Sequence, residues 1–273
     1  MSNLQDSPEP LILAIDTATR AGSVALARAG EVLALQSGDA TASHSIDLLA
    51  NVDACLKTIG AQLNDVDLFA AAAGPGSFTG LRIGLATIKS FAMSAGRFCA
   101  GVPTLAAVAH AAGPSGQIVA LLPAGRGEVF AQLFLANKQN VQPLDSATHI
   151  RPETVLEKYG QIESLTWAGE GAHLNVEALR AGAEARNITF TVRAGSELKS
   201  LMPGHQNNAE WTIAPQRVDL AIAIAALALD EYKHGRTISA EALRAIYVRP
   251  SDAEINERWQ REQSQTIVPL RES

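Results

Sequence analysis

The stretch that decides the fold is Gly74-Pro75-Gly76-Ser77-Phe78-Thr79-Gly80-Leu81-Arg82-Ile83-Gly84. It follows an apolar run at 66–73 that is typical of a buried strand, and it precedes an apolar segment at 81–95 long enough for a helix. Two glycines that flank a proline are turn chemistry, and Ser77 or Thr79 can cap the following helix. The stretch therefore predicts a tight strand-to-helix turn. Its predicted structural residues are Gly74, Pro75, Gly76 and Ser77.

The two later glycines of the stretch need a separate explanation. Gly80 and Gly84 each cost about 1 kcal/mol relative to alanine inside a helix. At a spacing of four they share one helix face, so we expect another backbone to approach that face closely.

Phosphate-binding and nucleophile motifs do not fit this stretch. A Walker A loop needs Gly-Lys-Ser/Thr, whereas Gly80 is followed by Leu81. The dinucleotide fingerprint needs its third glycine where Thr79 stands, and a nucleophile elbow needs glycines where Ser77 has Pro75 and Thr79. A nest of backbone amides that binds an anion remains open.

Composition limits the class of protein. The chain has 273 residues, of which 47% are hydrophobic, and a net charge of −6, which argues against unaided binding of nucleic acid. Its two cysteines form no CxxC motif and indicate a reducing compartment. The first ten residues lack a signal-peptide pattern, and the most apolar run, 220–229, is too short to span a membrane. We therefore expect a cytoplasmic protein with no membrane association.

Three short strands joined by turns are predicted at 11–15, 23–27 and 31–36, with Asp16 at the first bend. A carboxylate at this place could hold Mg²⁺ through water while the hairpin amides bind phosphate. It could equally cap its own backbone in an Asx turn. The residues alone leave both interpretations open.

A helix predicted at 43–59 carries two apolar stripes, and a surface helix needs only one. Together with the apolar helix at 81–95, it either buries surface against a partner or is sandwiched within the monomer. His44, at the helix start, is most simply a solvated residue.

The domain prediction places a flexible N-terminus at 1–10, a first lobe at 11–112, a second lobe at 113–217 and a polar tail at 251–273. The boundary is the turn-forming Gly113-Pro114-Ser115-Gly116. An apolar helix at 218–234 is expected to return to the first lobe. Helices are predicted at 152–159 and 176–185 within an otherwise weakly periodic region.

Catalytic chemistry has little support in the sequence. The six histidines are scattered, with no HExxH motif and no cysteine beside them. No serine motif or carboxylate pair is evident, and Arg126 and Glu128 belong either to a cleft lip or to a solvated turn. We therefore predict no catalytic residue and no metal ligand. From the residues alone the fold class is α/β in two lobes, and the function stays open.

Several segments together resemble the TsaB family, formerly YeaZ. They are Leu13-Ala14-Ile15-Asp16-Thr17-Ala18-Thr19, His44, the stretch from Gly74 to Gly84, Gly127-Glu128-Val129-Phe130 and Tyr247-Val248-Arg249. The resemblance is strong over 11–112, weaker over 117–135 and diffuse over 137–240. It implies a two-lobed actin-like fold of the hexokinase and Hsp70 type, with a mixed sheet and helices in each lobe.

The resemblance also implies a role in making N6-threonylcarbamoyladenosine next to the anticodon of ANN-decoding tRNAs. There TsaB is the non-catalytic partner of the transferase TsaD, the ATPase TsaE joins the pair, and tRNA is reached through the complex. The first two helices would bind TsaD, or form a homodimer without it. The interface residues that this implies are His44, Leu48, Leu49, Val52, Cys55, Gly80, Gly84, Ile88 and Phe91.

A nucleotide site of its own is not expected for this chain. Asp16, Thr17 and Thr19 would be its vestige, and no cofactor is predicted beyond weak or shared ATP or ADP at the partner junction. TsaD has an HxxxH metal motif where this chain has Thr104 and Val108, which cannot hold a metal.

The second-lobe hairpin also departs from the family, since Pro123-Ala124-Gly125 replaces the usual Asp-Ala-Arg. Two alternatives remain. One is an actin-like-fold ATP-dependent phosphotransferase or a metallopeptidase-like enzyme. The other is an autonomous homodimeric binding module.

Overall fold

The first lobe of the computed structural model is a five-stranded sheet with helices on both faces. The structure describes residues 9–38, 44–137, 140–193 and 209–248, with side chains in the second range from residue 47 onward. The strands are β1 Leu11–Asp16, β2 Ser23–Arg28, β3 Glu31–Ser37, β4 Leu68–Gly74 and β5 Phe98–Pro103, and the helices are α1 His44–Thr58, α2 Phe78–Ala95 and α3 Thr104–Ala111. The strand order is β3-β2-β1-β4-β5.

The second lobe is built on another mixed sheet. Its strands are β6 Gly116–Gly125, β7 Glu128–Ala136, β8 Val141–Pro143, β9 Thr148–Ile150, β10 Ser164–Ala168, β11 Thr189–Val192 and β12 Glu210–Ile213. The later helices are α4 Pro152–Tyr159, α5 Glu170–Leu174, α6 Val176–Glu184 and α7 Leu220–Lys233. The strand order is β11-β12-β10-β6-β7-β8, and β9 also pairs with β7.

The two sheets repeat one topology. In the first, β1, β2 and β3 form an antiparallel meander while β4 and β5 run parallel to β1. In the second, β6, β7 and β8 form the meander while β10, β12 and β11 continue in parallel. The predicted α/β class with a mixed sheet in each of two lobes is confirmed, and this repeat is the one expected of the actin-like fold.

Strand β1 runs through the centre of the first lobe because both of its faces are apolar. Leu11, Leu13 and Ile15 join the core covered by α1 and α2, whereas Ile12 and Ala14 join the core on the opposite face. Helix α7 covers that opposite face, packing against β1, β2, β4 and β5. The apolar helix predicted at 218–234 is therefore a core helix of the first sheet. The predicted domain boundaries themselves stay a prediction.

Sequence periodicity missed most of the second lobe's short strands. β10 pairs with β6 on one side and with β12 on the other, and Trp167 and Trp211 pack edge to face at 5.2 Å between their ring centres. Strands of four or five residues that are defined by such non-local pairing carry too few residues for a period to be visible. The predicted tail at 251–273 and most of the N-terminus at 1–10 lie outside the described residues.

Candidate functional site

The turn after β4 is fixed by contacts from three other segments. Gly74 donates its N–H to Oγ1 of Thr104 at 3.1 Å, and Ile246 donates its N–H to Ala73 O at 2.7 Å. The Gly74–Pro75 peptide is cis. A Cβ on Gly74 would lie 2.4 Å from Ile246 O, so only glycine fits beneath the C-terminal segment.

Helix α2 begins one turn earlier than its apolar pattern indicated. Of the two candidate caps, the structure uses Ser77, whose hydroxyl accepts the Gly80 N–H at 3.2 Å. This bond satisfies one of the amide groups that a helix start leaves without an intrahelical partner.

The glycine face of α2 packs against the turn between β1 and β2. A Cβ on Gly80 would lie 1.8 Å from Thr17 O, and one on Gly84 would lie 2.2 Å from Thr17 Oγ1. The Thr17 hydroxyl donates to Gly80 O at 2.7 Å, and Ser77 N donates to Ala18 O at 2.8 Å. The backbone expected to approach these glycines is thus the first hairpin of the same chain.

Asp16 closes that hairpin. The residue is 1% exposed, and its Oδ1 accepts the N–H of Ala18 at 2.8 Å and that of Thr19 at 3.3 Å. Its Oδ2 accepts the Thr19 hydroxyl. These bonds form an Asx turn, so the structure favours the second of the two interpretations that the sequence left open. The carboxylate bonds the same amides that would otherwise face a phosphate.

A small cleft separates this hairpin from the second lobe. Its volume is about 100 Å³, whereas sites for drug-sized ligands occupy roughly 300–1,000 Å³. The cleft is mainly apolar, with charged residues among its lining. Representative lining residues are Thr19, Arg20, Val108, Leu122, Glu170 and Arg217. The cleft is thus small in comparison with such sites.

The turn between β6 and β7 carries Arg126 and Glu128, which the sequence assigned either to a cleft lip or to a solvated turn. Arg126 has a φ of +53° between two glycines, Gly125 and Gly127, whose φ values are also positive. Oε2 of Glu128 lies 2.8 Å from Nε2 of His149. Glu128 therefore lies against strand β9 of its own sheet.

Thr104 and Val108 do not fit the metal that the resemblance associates with their positions in TsaD. Thr104 is fully buried with its hydroxyl on the Gly74 amide, and Val108 is buried in the core between α3 and β6. A hydroxyl engaged with backbone and an isopropyl group are not ligands for a catalytic transition metal. Within the described ranges, no group of three or more His, Cys, Asp or Glu side chains could hold a metal ion.

Sequence reasoning did not find the structural role of Thr104. Its hydroxyl links the start of α3 to the turn after β4. The signal was a hydroxyl residue at the first position of a helix that directly follows a parallel strand.

Most of the predicted interface residues are buried within the first lobe, and their part in an interface stays a prediction. The helix face that holds them lies on the sheet. They are Leu48, Val52, Cys55, Gly80, Gly84 and Ile88. Phe91 is partly buried, with its ring centre 6.2 Å from that of Phe69. The side chain of His44 lies outside the described residues.

The outward face of these helices is still unusual. Leu49 on α1 is 60% exposed and Met93 on α2 is 63% exposed, with the exposed small residues Ala50, Ala86 and Ser90 on the same helices. We call these five residues the helical face. A partner surface on the two helices stays a prediction, now located on the helical face.

Burial makes the Cys55 thiol unreactive. It donates to Val24 O in β2 at 3.6 Å, and desolvation raises its pKa to about 11. Since the thiolate is the reactive form of cysteine, a raised pKa keeps this residue inert. Cys55 is thus part of the core beneath the first hairpin.

Comparison with known proteins identifies a matching family model and a solved structure with a similar fold. A family model described as "TsaD: tRNA N6-adenosine threonylcarbamoyltransferase" matches residues 37–270. The structure of YeaZ from Pseudomonas aeruginosa superimposes with a TM-score of 0.66 at 25% identity, covering 87% of this chain and 99% of that chain.

Named relatives narrow the assignment. The tRNA threonylcarbamoyladenosine biosynthesis protein TsaB of Escherichia coli (strain K12) is 34% identical over 155 residues, 55% of this chain and 67% of that protein. TsaB of Haemophilus influenzae is 37% identical over 130 residues, 46% of this chain and 55% of that protein. The alignments thus span about half to two thirds of these relatives. The chain belongs to the TsaB (YeaZ) family, within the wider group that the TsaD model describes.

No helix among the described residues is both long enough and apolar enough to cross a membrane.

Proposed function

We propose that this chain is the non-catalytic partner of TsaD in the N6-threonylcarbamoyladenosine modification of adenosine next to the anticodon of ANN-decoding tRNAs. The observation that carries the proposal is the pair Thr104 and Val108, which stand where the resemblance places the histidines of TsaD. A buried threonine bonded to Gly74 and a buried valine supply no metal chemistry. Membership of the TsaB family supports the pathway.

The helical face is the proposed contact with TsaD. It carries exposed Leu49 and Met93 around small residues, a composition that suits packing against another helix pair. The same face would serve the homodimer when TsaD is absent. We propose that TsaE joins the pair, and that tRNA binds through the complex because the chain has a net charge of −6.

No cofactor of its own is proposed for this chain. Asp16 is engaged by its own turn and the cleft is small, so any ATP or ADP would be shared at the junction with TsaD. We place the complex in the cytoplasm, in keeping with two cysteines that form no disulfide.

Reconstitution tests the proposal. The chain is combined with TsaD and TsaE from its organism, the threonylcarbamoyl-adenylate synthase, ATP and tRNA, and the modified nucleoside is measured with and without it. We expect modification only when the chain is present. Equal modification without it would refute the partner role, and ATP turnover or bound zinc in the isolated chain would support the enzyme alternative.

A matched pair of leucines tests the helical face. Leu49→Asp places a charge on the face, whereas Leu174→Asp places one on an equally exposed leucine of α5 in the second lobe. We expect Leu49→Asp to weaken TsaD binding at least tenfold and Leu174→Asp to leave it within twofold.

A further inference from the structure

Three side chains form an exposed cluster beside the glycine-rich turn. Phe78 is the first residue of α2, and its ring centre lies 5.6 Å from that of Tyr247 in the C-terminal segment. The Arg82 guanidinium lies 3.8 Å from the centre of the Phe78 ring. We call Phe78, Arg82 and Tyr247 the aromatic cluster.

The aromatic cluster is exposed although its side chains are of types that proteins usually cover. Phe78 is 38% exposed and Tyr247 is 47% exposed, with exposed Ile246 beside them. Within the part of the chain that the structure describes, no carboxylate forms an ion pair with Arg82. Aromatic residues and arginine are enriched at the centres of protein interfaces.

The backbone beneath the aromatic cluster is fixed before any partner arrives. Ile246 is bonded to Ala73, and Ser77 caps the helix that presents Phe78 and Arg82. A backbone held in place in this way needs little further ordering on binding, which favours affinity.

The aromatic cluster is continuous with the helical face. Phe78, Arg82, Ala86 and Ser90 follow one another at intervals of four along α2, and all four are exposed. Residues four apart lie on one ridge of a helix, opposite the ridge that α2 buries on the sheet. A partner that packs along this ridge from Ser90 would reach Phe78.

We propose that the aromatic cluster is a second anchor for the partner subunit, one that takes up an apolar side chain against Phe78 and Tyr247 and a carboxylate at Arg82. This inference rests on the proposed function and adds residues outside the interface that the sequence predicted. Since the Arg82 guanidinium has no ion-pair partner among the described residues, it calls for an acidic residue. The exposed Ile246 and the aromatic rings call for an apolar neighbour.

Substitutions in the full chain test the anchor by measuring affinity for TsaD. Phe78→Ala and Arg82→Glu are each expected to weaken binding at least tenfold, with circular dichroism and Tm showing an intact fold. Arg82→Lys keeps the charge and is expected to retain part of the affinity. The matched control is Arg180→Glu, because Arg180 lies 5.0 Å from the Phe190 ring centre in the second lobe. It is expected to bind within twofold of wild type.

Hydroxyl-radical footprinting supplies an independent readout. Phe78 and Tyr247 are expected to be labelled in the isolated full chain and protected in the complex. Protection already present in the isolated chain would mean that other residues of the chain cover the cluster, and would overturn the proposal.

The remaining outcomes separate this inference from the proposed function. Normal TsaD binding by Phe78→Ala and Arg82→Glu, with loss in Leu49→Asp, overturns the anchor while leaving the partner role intact. Failure of the wild-type chain to bind TsaD overturns both. If the two substitutions change only self-association or only tRNA binding, the occupant is a second copy or RNA, and the proposal is wrong.

Discussion

The hairpins β1–β2 and β6–β7 open the meanders of the two sheets, yet glycine serves them in different ways. Around the first hairpin, Gly80 and Gly84 leave space for the backbone and hydroxyl of Thr17. At the second, an added Cβ on Gly125 or Gly127 would meet nothing within 4 Å. Those two glycines are needed for their φ values of +79° and +77°. The first hairpin is therefore held by tertiary packing and the second by local backbone geometry.

The first hairpin also differs from the second in the chemistry at its turn. Its carboxylate, Asp16, bonds the turn amides, and α2 packs against the turn from outside. The second hairpin has no carboxylate in its turn at all, since Arg126 stands between the glycines. A repeated topology has thus kept its shape in both lobes while the chemistry at its turns differs.

The largest effect is expected from Gly80→Leu. The new side chain would collide with Thr17 O, a backbone atom that cannot move without the hairpin. Unfolding free energy should fall by about 3 kcal/mol, the upper part of the usual range for overpacking. If Gly80 lay in an interface instead, Gly80→Leu would weaken association with the partner and leave the unfolding free energy unchanged. Urea denaturation measures it, with exposed Ala86→Leu as the control.

Asp16→Ala is expected to cost about 2 kcal/mol, because it leaves the Ala18 amide buried without its acceptor. Asp16→Asn keeps an acceptor oxygen and should lose less than half as much. We also expect tRNA modification in the reconstituted system to stay nearly normal in a folded, paired Asp16→Ala protein. Complete loss of modification in such a protein would show that Asp16 has a chemical role.

Gly127→Ala tests the local character of the second hairpin. The substitution forces a non-glycine residue to a φ of +77°, with a cost of about 1–2 kcal/mol. No neighbouring atom obstructs a side chain at this position. Gly127→Asn should therefore recover part of the loss, because asparagine tolerates positive φ values. Equal losses for alanine and asparagine in thermal unfolding would point to packing instead.

The smallest effect concerns Cys55 beneath the first hairpin, whose pKa burial raises from 9.0 to about 11. The unfolded thiol ionises at lower pH than the folded one, so its contribution is complete below pH 9.0 and is lost as the pH rises toward 11. By about pH 10 the wild-type chain should lose about 1 kcal/mol more stability than Cys55→Ala loses. Urea titrations of both proteins at pH 8 and pH 10 give the difference. Rapid labelling of Cys55 in the folded chain would contradict its burial.

Local sequence signals predicted much of the first lobe. The apolar strands, the capped helix after Ser77 and the apolar helix α7 each carry their pattern within one segment. In the second lobe, the helix Pro152–Tyr159 was predicted to the residue, yet β10, β11 and β12 were not. Those strands are defined by pairing with each other and with β6, which lies far away in the sequence.

The candidate site shows the same limit. A spacing of four between Gly80 and Gly84 predicted a close backbone approach, but the sequence did not say whether that backbone belonged to this chain or to another. The apolar stripe of Leu48, Val52 and Cys55 likewise fits a core and an interface equally well. A core stripe and an interface stripe differ only in whether the stripe faces the sheet or the solvent. In the structure these residues face the sheet and belong to its core.

The sequence by itself determined the fold class, the turn after β4 and the family, because each depends on residues close together in the chain or on a specific motif. Only the tertiary structure decided that Thr17 fills the glycine face, that Asp16 bonds its own turn, and that Phe78, Arg82 and Tyr247 meet at the surface. The physical reason is that contacts between distant segments depend on how the sheet and its helices pack, and a hydrophobic period records which residues avoid water without recording what covers them.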